Sequence, residues 1–115
     1  KNKKFNCSEG NQLRDFIYVD DLINLIIKAL LNNRAKGQIF NVGSGYKIKI
    51  KELIKKIVFL CKKGNPIFGA TKMRKDESPI MCPNITKIKK VFKFKNKYSI
   101  NKGLKKTISF YNRYV

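Results

Sequence analysis

The sequence contains no histidine, and its three cysteines, Cys7, Cys61 and Cys82, are far apart in the chain. Histidine is the side chain that most often acts as a general base near neutral pH, so its absence removes the commonest route to proton-transfer catalysis. No CxxC pair occurs, and we therefore predict neither a zinc site nor a disulfide framework. Free thiols are typical of a reducing compartment, which favours a cytoplasmic location.

Long apolar runs are also missing. No stretch of 18 consecutive apolar residues occurs, so no transmembrane helix is predicted. The first residues, KNKKFNC, are basic but lack the apolar segment of a signal peptide. A chain of 115 residues, 43% of them hydrophobic, is long enough for one small packed domain.

Acidic residues are scarce, since 7 Asp and Glu stand against 27 Lys and Arg, which gives a net charge of +20. Such a charge suggests nucleic-acid binding. Only 4 of the 27 are arginine, however, and the lysines are spread over every segment, together with 15 isoleucines and 12 asparagines. Codons rich in A and T favour lysine, isoleucine and asparagine, so we interpret the charge mainly as compositional bias. A small lysine-rich nucleic-acid-binding module is kept as the alternative.

The first third of the chain predicts two extended runs and a helix. The runs FNC and QLRDFI, within residues 5–17, are joined by SEGN, whose turn chemistry predicts a hairpin. Asp20 or Asp21 is then expected to cap a helix, because a short carboxylate accepts hydrogen bonds from first-turn N–H groups. Gly37 suits a left-handed turn after this helix. The predicted inward face consists of Leu22, Ile23, Ile26, Ile27, Leu30 and Leu31.

The segment QIFNVGSG, residues 38–45, predicts a buried parallel strand. Ile39, Phe40 and Val42 form a short apolar run that ends at glycines, which is typical of such a strand where it meets a loop. A helix, a tight link and a buried strand together indicate an α/β sheet.

Three further helices follow from apolar residues at helical spacing. Lys49 precedes the first of them and cannot accept a hydrogen bond from its first turn, so fraying is expected there. Asn84 and Ser99 precede the other two and are able to cap them. The predicted helices cover residues 50–62, 85–92 and 100–113.

Residues 64–83 are expected to be irregular, because this segment contains all three prolines. It also carries Arg74, Asp76 and Glu77. Charged residues on a long loop between packed elements are candidates for ligand binding.

Several motifs occur in a characteristic order. RDFIYVDDL is followed by a helix, by GQIFNVGSG and by a helix that opens with IKELIKKI; FGATKMRKDE, PNITKIKKVFKF and YSINKGLKKTISFY come later. This order, from Phe5 to Tyr111, resembles the C-terminal half of extended short-chain dehydrogenases/reductases, the NAD-dependent epimerases and dehydratases of nucleotide sugars. The resemblance implies the C-terminal part of a Rossmann-type α/β fold, mostly helices with a few short strands, and a nucleotide-diphosphate sugar as the ligand.

The resemblance also implies three substrate-binding residues. Arg14, in the RDF motif, would bind the diphosphate, since a guanidinium fork is suited to two phosphate oxygens. Arg74 would hold the phosphate or ribose from the other side, and Glu77 would accept hydrogen bonds from the ribose hydroxyls. Asp76 competes for this last role. The structural alternatives are that Arg14 pairs with Asp15 or a helix end, and that the loop carries a solvated run of charges.

The cofactor and catalytic motifs of that family are absent. No GxxGxxG occurs, and a tyrosine is followed four residues later by lysine only at Tyr98 and Lys102, where a helix begins. The resemblance therefore implies no catalytic residue in this chain, and NAD(P) bound only by a full-length parent.

We expect residues 1–115 to be a single C-terminal substrate-binding portion whose N-terminal NAD-binding half is absent, and to be inactive alone. That half is an expected partner, and the parent is expected to form a homodimer. A non-catalytic remnant without any ligand is a further alternative to the nucleotide-sugar interpretation.

Overall fold

The computed structural model describes residues 3–114 as a small α/β arrangement with more helix than strand. This agrees with the predicted mixture of helices and a few short strands. The elements in chain order are β1 (Lys4–Asn6), β2 (Leu13–Asp15), α1 (Val19–Leu30), a 3₁₀ turn (Asn33–Ala35), β3 (Lys47–Lys49), α2 (Ile50–Cys61), β4 (Asn65–Ile67), β5 (Ile80–Met81), α3 (Thr86–Phe92) and α4 (Ile100–Tyr114).

The strands form two small sheets through pairings that are distant in sequence. β1 pairs in parallel with β4, and β2 lies between antiparallel β3 and parallel β5. Leu13 is opposite Lys49 on one side and Ile80 on the other. The hairpin predicted within residues 5–17 is therefore wrong, because each of its two runs pairs with strands that come much later. The segment 64–83 is less irregular than predicted for the same reason, since it supplies β4 and β5.

The segment between β1 and β2 does not form the predicted hairpin turn; its carbonyls accept N–H groups at the start of α2. Gly10 adopts a left-handed conformation with φ of +70°, and a Cβ atom there would lie 2.8 Å from the backbone nitrogen of Lys51. Its carbonyl accepts the Lys51 N–H at 2.9 Å, and the Gln12 carbonyl accepts the Ile50 N–H at 3.1 Å. Lys49 makes no side-chain cap, as predicted. The helix nevertheless begins at Ile50, because these two carbonyls accept the N–H groups of its first turn. The fraying expected at Lys49 is thus offset by the main chain.

The segment 38–42 is not a strand, contrary to the prediction. Within residues 3–114 it pairs with no strand, and Ile39 is 87% exposed. Phe40 and Val42 nevertheless pack against the core. A buried parallel strand needs neighbours to accept its backbone hydrogen bonds, and the sheets described here provide none for it.

The core lies between α1 and α3. Its buried members are Leu25, Ile85, Ile88, Phe92 and Phe94, of which Ile88 is completely inaccessible to solvent.

The predicted caps of the last two helices differ in outcome. Ser99 Oγ accepts the Lys102 N–H at 3.4 Å, as a cap of α4 should. In α3, Ile85 occupies the N-cap position and makes no side-chain cap, although Asn84 Oδ1, one residue earlier, accepts the Thr86 N–H at 3.0 Å.

The acid pair after the RDF motif does not cap α1, contrary to the prediction. Tyr18 occupies the N-cap position and makes no side-chain cap. Asp21 is instead 3% exposed and accepts the backbone N–H groups of Lys97 and Tyr98, both at 3.1 Å. Asp20 lies 3.9 Å from the ammonium group of Lys106. The buried carboxylate therefore fixes the segment that leads into α4.

The apolar face predicted for α1 is largely uncovered. Leu30 is 80% exposed and Leu31 is 83% exposed, whereas Leu25, on a neighbouring part of the helix, is buried. The other exposed members of this face are Ile23, Ile26 and Ile27, each close to half exposed. Over residues 3–114, no helix combines the length and hydrophobicity that crossing a bilayer requires.

Candidate nucleotide-binding site

Arg14 lies in the middle of β2, where strands on both sides restrict its backbone. Its side chain is 16% exposed. One terminal nitrogen, Nη1, donates to the Leu13 carbonyl at 2.8 Å, and the other, Nη2, contacts a carboxylate oxygen of Glu77. The guanidinium is thus held by the strand and directed toward the loop that precedes β5.

Glu77 reaches Arg14 because the end of its loop is fixed to β2. The loop enters β5 at Ile80, which pairs in parallel with Leu13. The second carboxylate oxygen of Glu77 accepts from Arg74 Nη2 at 3.2 Å, and its backbone N–H donates to the Arg74 carbonyl, also at 3.2 Å. The structure therefore brings together the three predicted binding residues, with two positive charges against one negative charge.

The three residues differ in their access to solvent. Glu77 is 17% exposed, similar to Arg14, whereas the side chain of Arg74 is 80% exposed. Asp76, the competing acid, is exposed on the same loop. Of the two acids, Glu77 is the one that contacts Arg14.

Asp15, the neighbour of Arg14, has a partner that the sequence did not reveal. Its carboxylate accepts the Ser44 N–H at 2.7 Å, the Ser44 hydroxyl at 2.5 Å and the Gly45 N–H at 2.7 Å. Successive side chains of a strand point to opposite faces, so Arg14 and Asp15 act on different sides of β2. The pairing of Arg14 with Asp15 is therefore not made, and Asp15 holds the glycine-rich loop that follows residue 42.

A separate cleft of about 810 Å³ opens beside this loop. Aromatic rings and lysine ammonium groups share its walls, and none of the three predicted binding residues is part of it. Tyr98, the tyrosine of the single Tyr-to-Lys spacing, lines this cleft, and its ring lies 4.7 Å from that of Tyr18. Lys102 is the residue whose N–H is bound by Ser99, so this spacing lies at a helix start.

A family model described as GDP-mannose 4,6 dehydratase matches residues 1–107, nearly the whole chain. The chain belongs to this family. The GDP-mannose 4,6 dehydratase family match confirms the resemblance to nucleotide-sugar epimerases and dehydratases, and it does not favour the nucleic-acid-binding alternative.

Two relatives of known activity are similar along most of the chain. CDP-abequose synthase of Salmonella muenchen is 34% identical over 112 residues, which cover 94% of this chain and 37% of the relative. UDP-N-acetyl-alpha-D-glucosaminuronate decarboxylase of Bacillus cytotoxicus is 30% identical over 108 residues, covering 90% and 33% respectively. The chain thus spans about a third of the length of these relatives.

Solved structures of full-length enzymes share the fold. UDP-glucose 4-epimerase of Thermotoga maritima, solved with UDP-glucose, superposes with a TM-score of 0.83 at 23% identity, over 99% of this chain and 36% of the enzyme. UDP-glucuronic acid 4-epimerase of Bacillus cereus, solved with UDP-glucuronic acid and NAD, gives a TM-score of 0.82 at 22% identity, over 100% and 36%. The predicted fold class, part of a Rossmann-type extended short-chain dehydrogenase, is confirmed.

Proposed function

We propose that this chain is the nucleotide-sugar-binding portion of an NAD-dependent epimerase or dehydratase. The observation that carries the proposal is the convergence of Arg14, from β2, with Arg74 and Glu77, from the loop before β5. In this proposal Arg14 binds the diphosphate, Arg74 holds the phosphate or ribose from the solvent side, and Glu77 accepts hydrogen bonds from the ribose hydroxyls.

The chemistry of each group suits its proposed role. A guanidinium stays charged, and its planar fork bonds two phosphate oxygens at once, which an ammonium group cannot do. Because Arg14 is only 16% exposed, a phosphate bound there is shielded from most competing water. Arg74, at 80% exposure, is free to adjust to the sugar-phosphate linkage. A carboxylate such as Glu77 accepts two donors from a vicinal diol.

Nucleotide binding by the chain itself tests the proposal. Calorimetric titration with UDP is expected to show saturable binding, whereas uridine, which lacks the phosphates, is expected to bind too weakly to measure. NAD is expected to show no micromolar affinity, because the chain has no glycine turn at a helix N-terminus to hold a dinucleotide pyrophosphate. Equal binding of UDP and uridine would contradict the proposed role of the arginines. Micromolar NAD binding would contradict the proposal that NAD is bound by the other half of the parent enzyme.

The uncovered face of α1 supports the second part of the proposal, an NAD-binding half as partner. The exposed residues of α1, and Ile39 in the segment 38–42, which pairs with no strand among residues 3–114, offer apolar surface that a covering element would remove from water. The relatives are about three times as long as this chain, so they have enough additional sequence for such an element. In the proposed parent, that half carries out hydride transfer with NAD(P), and the homodimer is a property of the parent.

We therefore expect the isolated chain to self-associate and to bind a hydrophobic dye at micromolar concentration. Replacing Ile27 and Leu30 with lysine is expected to reduce both dye fluorescence and the sedimentation coefficient, because this replacement removes apolar surface from the uncovered face. Phe59→Lys is the matched control, since Phe59 is 81% exposed on α2, outside that face. A clean monomer with a sharp two-state melt would contradict this expectation.

A further inference from the structure

The carboxylate of Glu77 lies between two guanidinium groups. Its oxygen Oε1 contacts Arg14 and its oxygen Oε2 accepts from Arg74, so both oxygens are engaged. Arg14 is engaged as well, because its other terminal nitrogen donates to the Leu13 carbonyl. An acidic side chain thus contacts the terminal edge of Arg14, which is the edge proposed to bind phosphate.

While Glu77 stays in place, Nη2 of Arg14 is bonded to its carboxylate and Nη1 to the Leu13 carbonyl, so a diphosphate that approaches the edge formed by these two nitrogens meets donors that are already in use. The two anions would compete for the same N–H donors, and like charges in contact at a largely buried position repel strongly. Glu77 and Arg14 are 17% and 16% exposed, so water screens this repulsion only in part. Binding therefore requires that the Glu77 carboxylate leave Arg14.

We infer that Glu77 is a resident counter-anion of Arg14, which the substrate diphosphate displaces, and that this exchange makes the site selective for nucleoside diphosphates. The inference rests on the proposed function of Arg14. Glu77 remains anchored during the exchange, because its N–H donates to the Arg74 carbonyl and its loop is fixed by β5. Only the side chain has to move, from Arg14 toward the ribose that accompanies the diphosphate.

The preference for nucleoside diphosphates over pyrophosphate depends on which hydrogen-bond donors are available to the displaced Glu77 carboxylate. A ligand with ribose hydroxyls beside its diphosphate supplies new donors to Glu77, whereas inorganic pyrophosphate supplies none and leaves the partly buried carboxylate with the exposed Arg74 as its remaining charged partner. Loss of the better shielded partner of a partly buried charge is unfavourable. The exchange thus penalises simple polyanions more than nucleoside diphosphates.

The test is the affinity of pyrophosphate and of UDP, measured by calorimetry at one salt concentration for the wild type and Glu77→Gln. Removing the resident charge is expected to tighten pyrophosphate binding about tenfold, because a competing anion is lost. UDP is expected to gain less, since glutamine replaces one of the two carboxylate oxygens that would accept from the ribose hydroxyls with an NH2 donor. The preference for UDP over pyrophosphate should therefore fall, by up to about tenfold. Asp76→Asn makes the same charge change on the same loop at an exposed position and should leave the preference unchanged.

A double variant shows whether the effect passes through Arg14. In an Arg14→Ala background, Glu77→Gln is expected to give no gain in pyrophosphate affinity, because there is no guanidinium to release. Unchanged or weaker pyrophosphate binding by Glu77→Gln alone would overturn the exchange and leave Glu77 as a group that merely positions Arg14. If instead Arg14→Ala binds UDP as tightly as the wild type, the proposed function itself fails.

A measurement on the wild-type chain covers the case in which Glu77→Gln does not fold. The ¹³C resonance of the Glu77 carboxyl is expected to shift when pyrophosphate saturates the chain, because the carboxyl loses its contact with Arg14. Saturation with no shift at Glu77 would overturn the exchange.

Discussion

Replacing Asp21 with alanine is expected to lower the free energy of unfolding by about 2–4 kcal/mol, because a buried carboxylate that accepts two backbone N–H groups is lost. Asp21 is 3% exposed and is bonded to Lys97 and Tyr98, which lead into α4. Without it, two amides lose their partner and the link between α1 and α4 loosens. For a small domain of marginal stability, this is a large share of the total.

Asp20→Ala is the matched control for this prediction. Both acids lie in the first turn of α1, so both interact favourably with the helix dipole, and both variants lose that contribution. Asp20 has only a long contact of 3.9 Å with Lys106 and is 43% exposed, so its loss should amount to about 0–1 kcal/mol. The midpoints of urea unfolding at low protein concentration separate the two. Equal losses would show that Asp21 acts only through the dipole.

Arg14→Ala is expected to weaken UDP binding by about ten- to a hundredfold, which corresponds to about 1.5–3 kcal/mol for one charge-assisted contact. The physical reason is the loss of a guanidinium held at 16% exposure, where its hydrogen bonds to phosphate are little weakened by solvent. Arg14→Lys should recover only part of the affinity, because an ammonium group lacks the planar fork.

The control for Arg14 is an arginine of equal charge at a different place. Arg34 is exposed in the 3₁₀ turn after α1, and Arg34→Ala changes the net charge by the same amount. Calorimetry on folded protein should therefore give a UDP affinity for Arg34→Ala within about threefold of the wild type, since an exposed distant charge acts only through screened long-range attraction. A similar loss in both arginine variants would mean that the overall positive charge, and not a specific contact, binds the nucleotide.

Helices were predictable from the sequence because their signals are local. Apolar spacing and the cap at Ser99 depend on residues three or four positions apart, and the structure has these helices near the predicted bounds. Strand pairing was not predictable in the same way. β1 and β2 find their partners about 35 to 70 positions away, and no local pattern specifies such a partner.

The residues of the candidate site show the same difference between local and long-range signals. Arg14, Arg74 and Glu77 came from a family resemblance, and the structure brings them together. The two structural carboxylates, Asp15 and Asp21, were missed or given another role, because each binds backbone groups 29 or more positions away. Sequence patterns identify which residues are acidic but not which distant N–H groups they accept.

The exposed face of α1 was missed for a different reason. Helical periodicity shows that a face is apolar, but it does not show whether the element that covers it is present. Leu30 and Leu31 have the spacing of core residues and are nevertheless 80% and 83% exposed. Residues 38–42 similarly have the composition of a strand but pair with no strand among residues 3–114.

The main-chain cap of α2 has a consequence for how this sequence tolerates mutation. Because the carbonyls of Gly10 and Gln12 bind the first turn, position 49 has no capping task, and a lysine there is as acceptable as serine or aspartate. A codon bias toward lysine is therefore harmless at position 49. Position 10 is the restricted one, because its backbone is left-handed and a Cβ atom there would lie 2.8 Å from the backbone nitrogen of Lys51, so a residue larger than glycine is excluded. The same main-chain cap thus leaves position 49 tolerant of substitution and makes Gly10 sensitive to it.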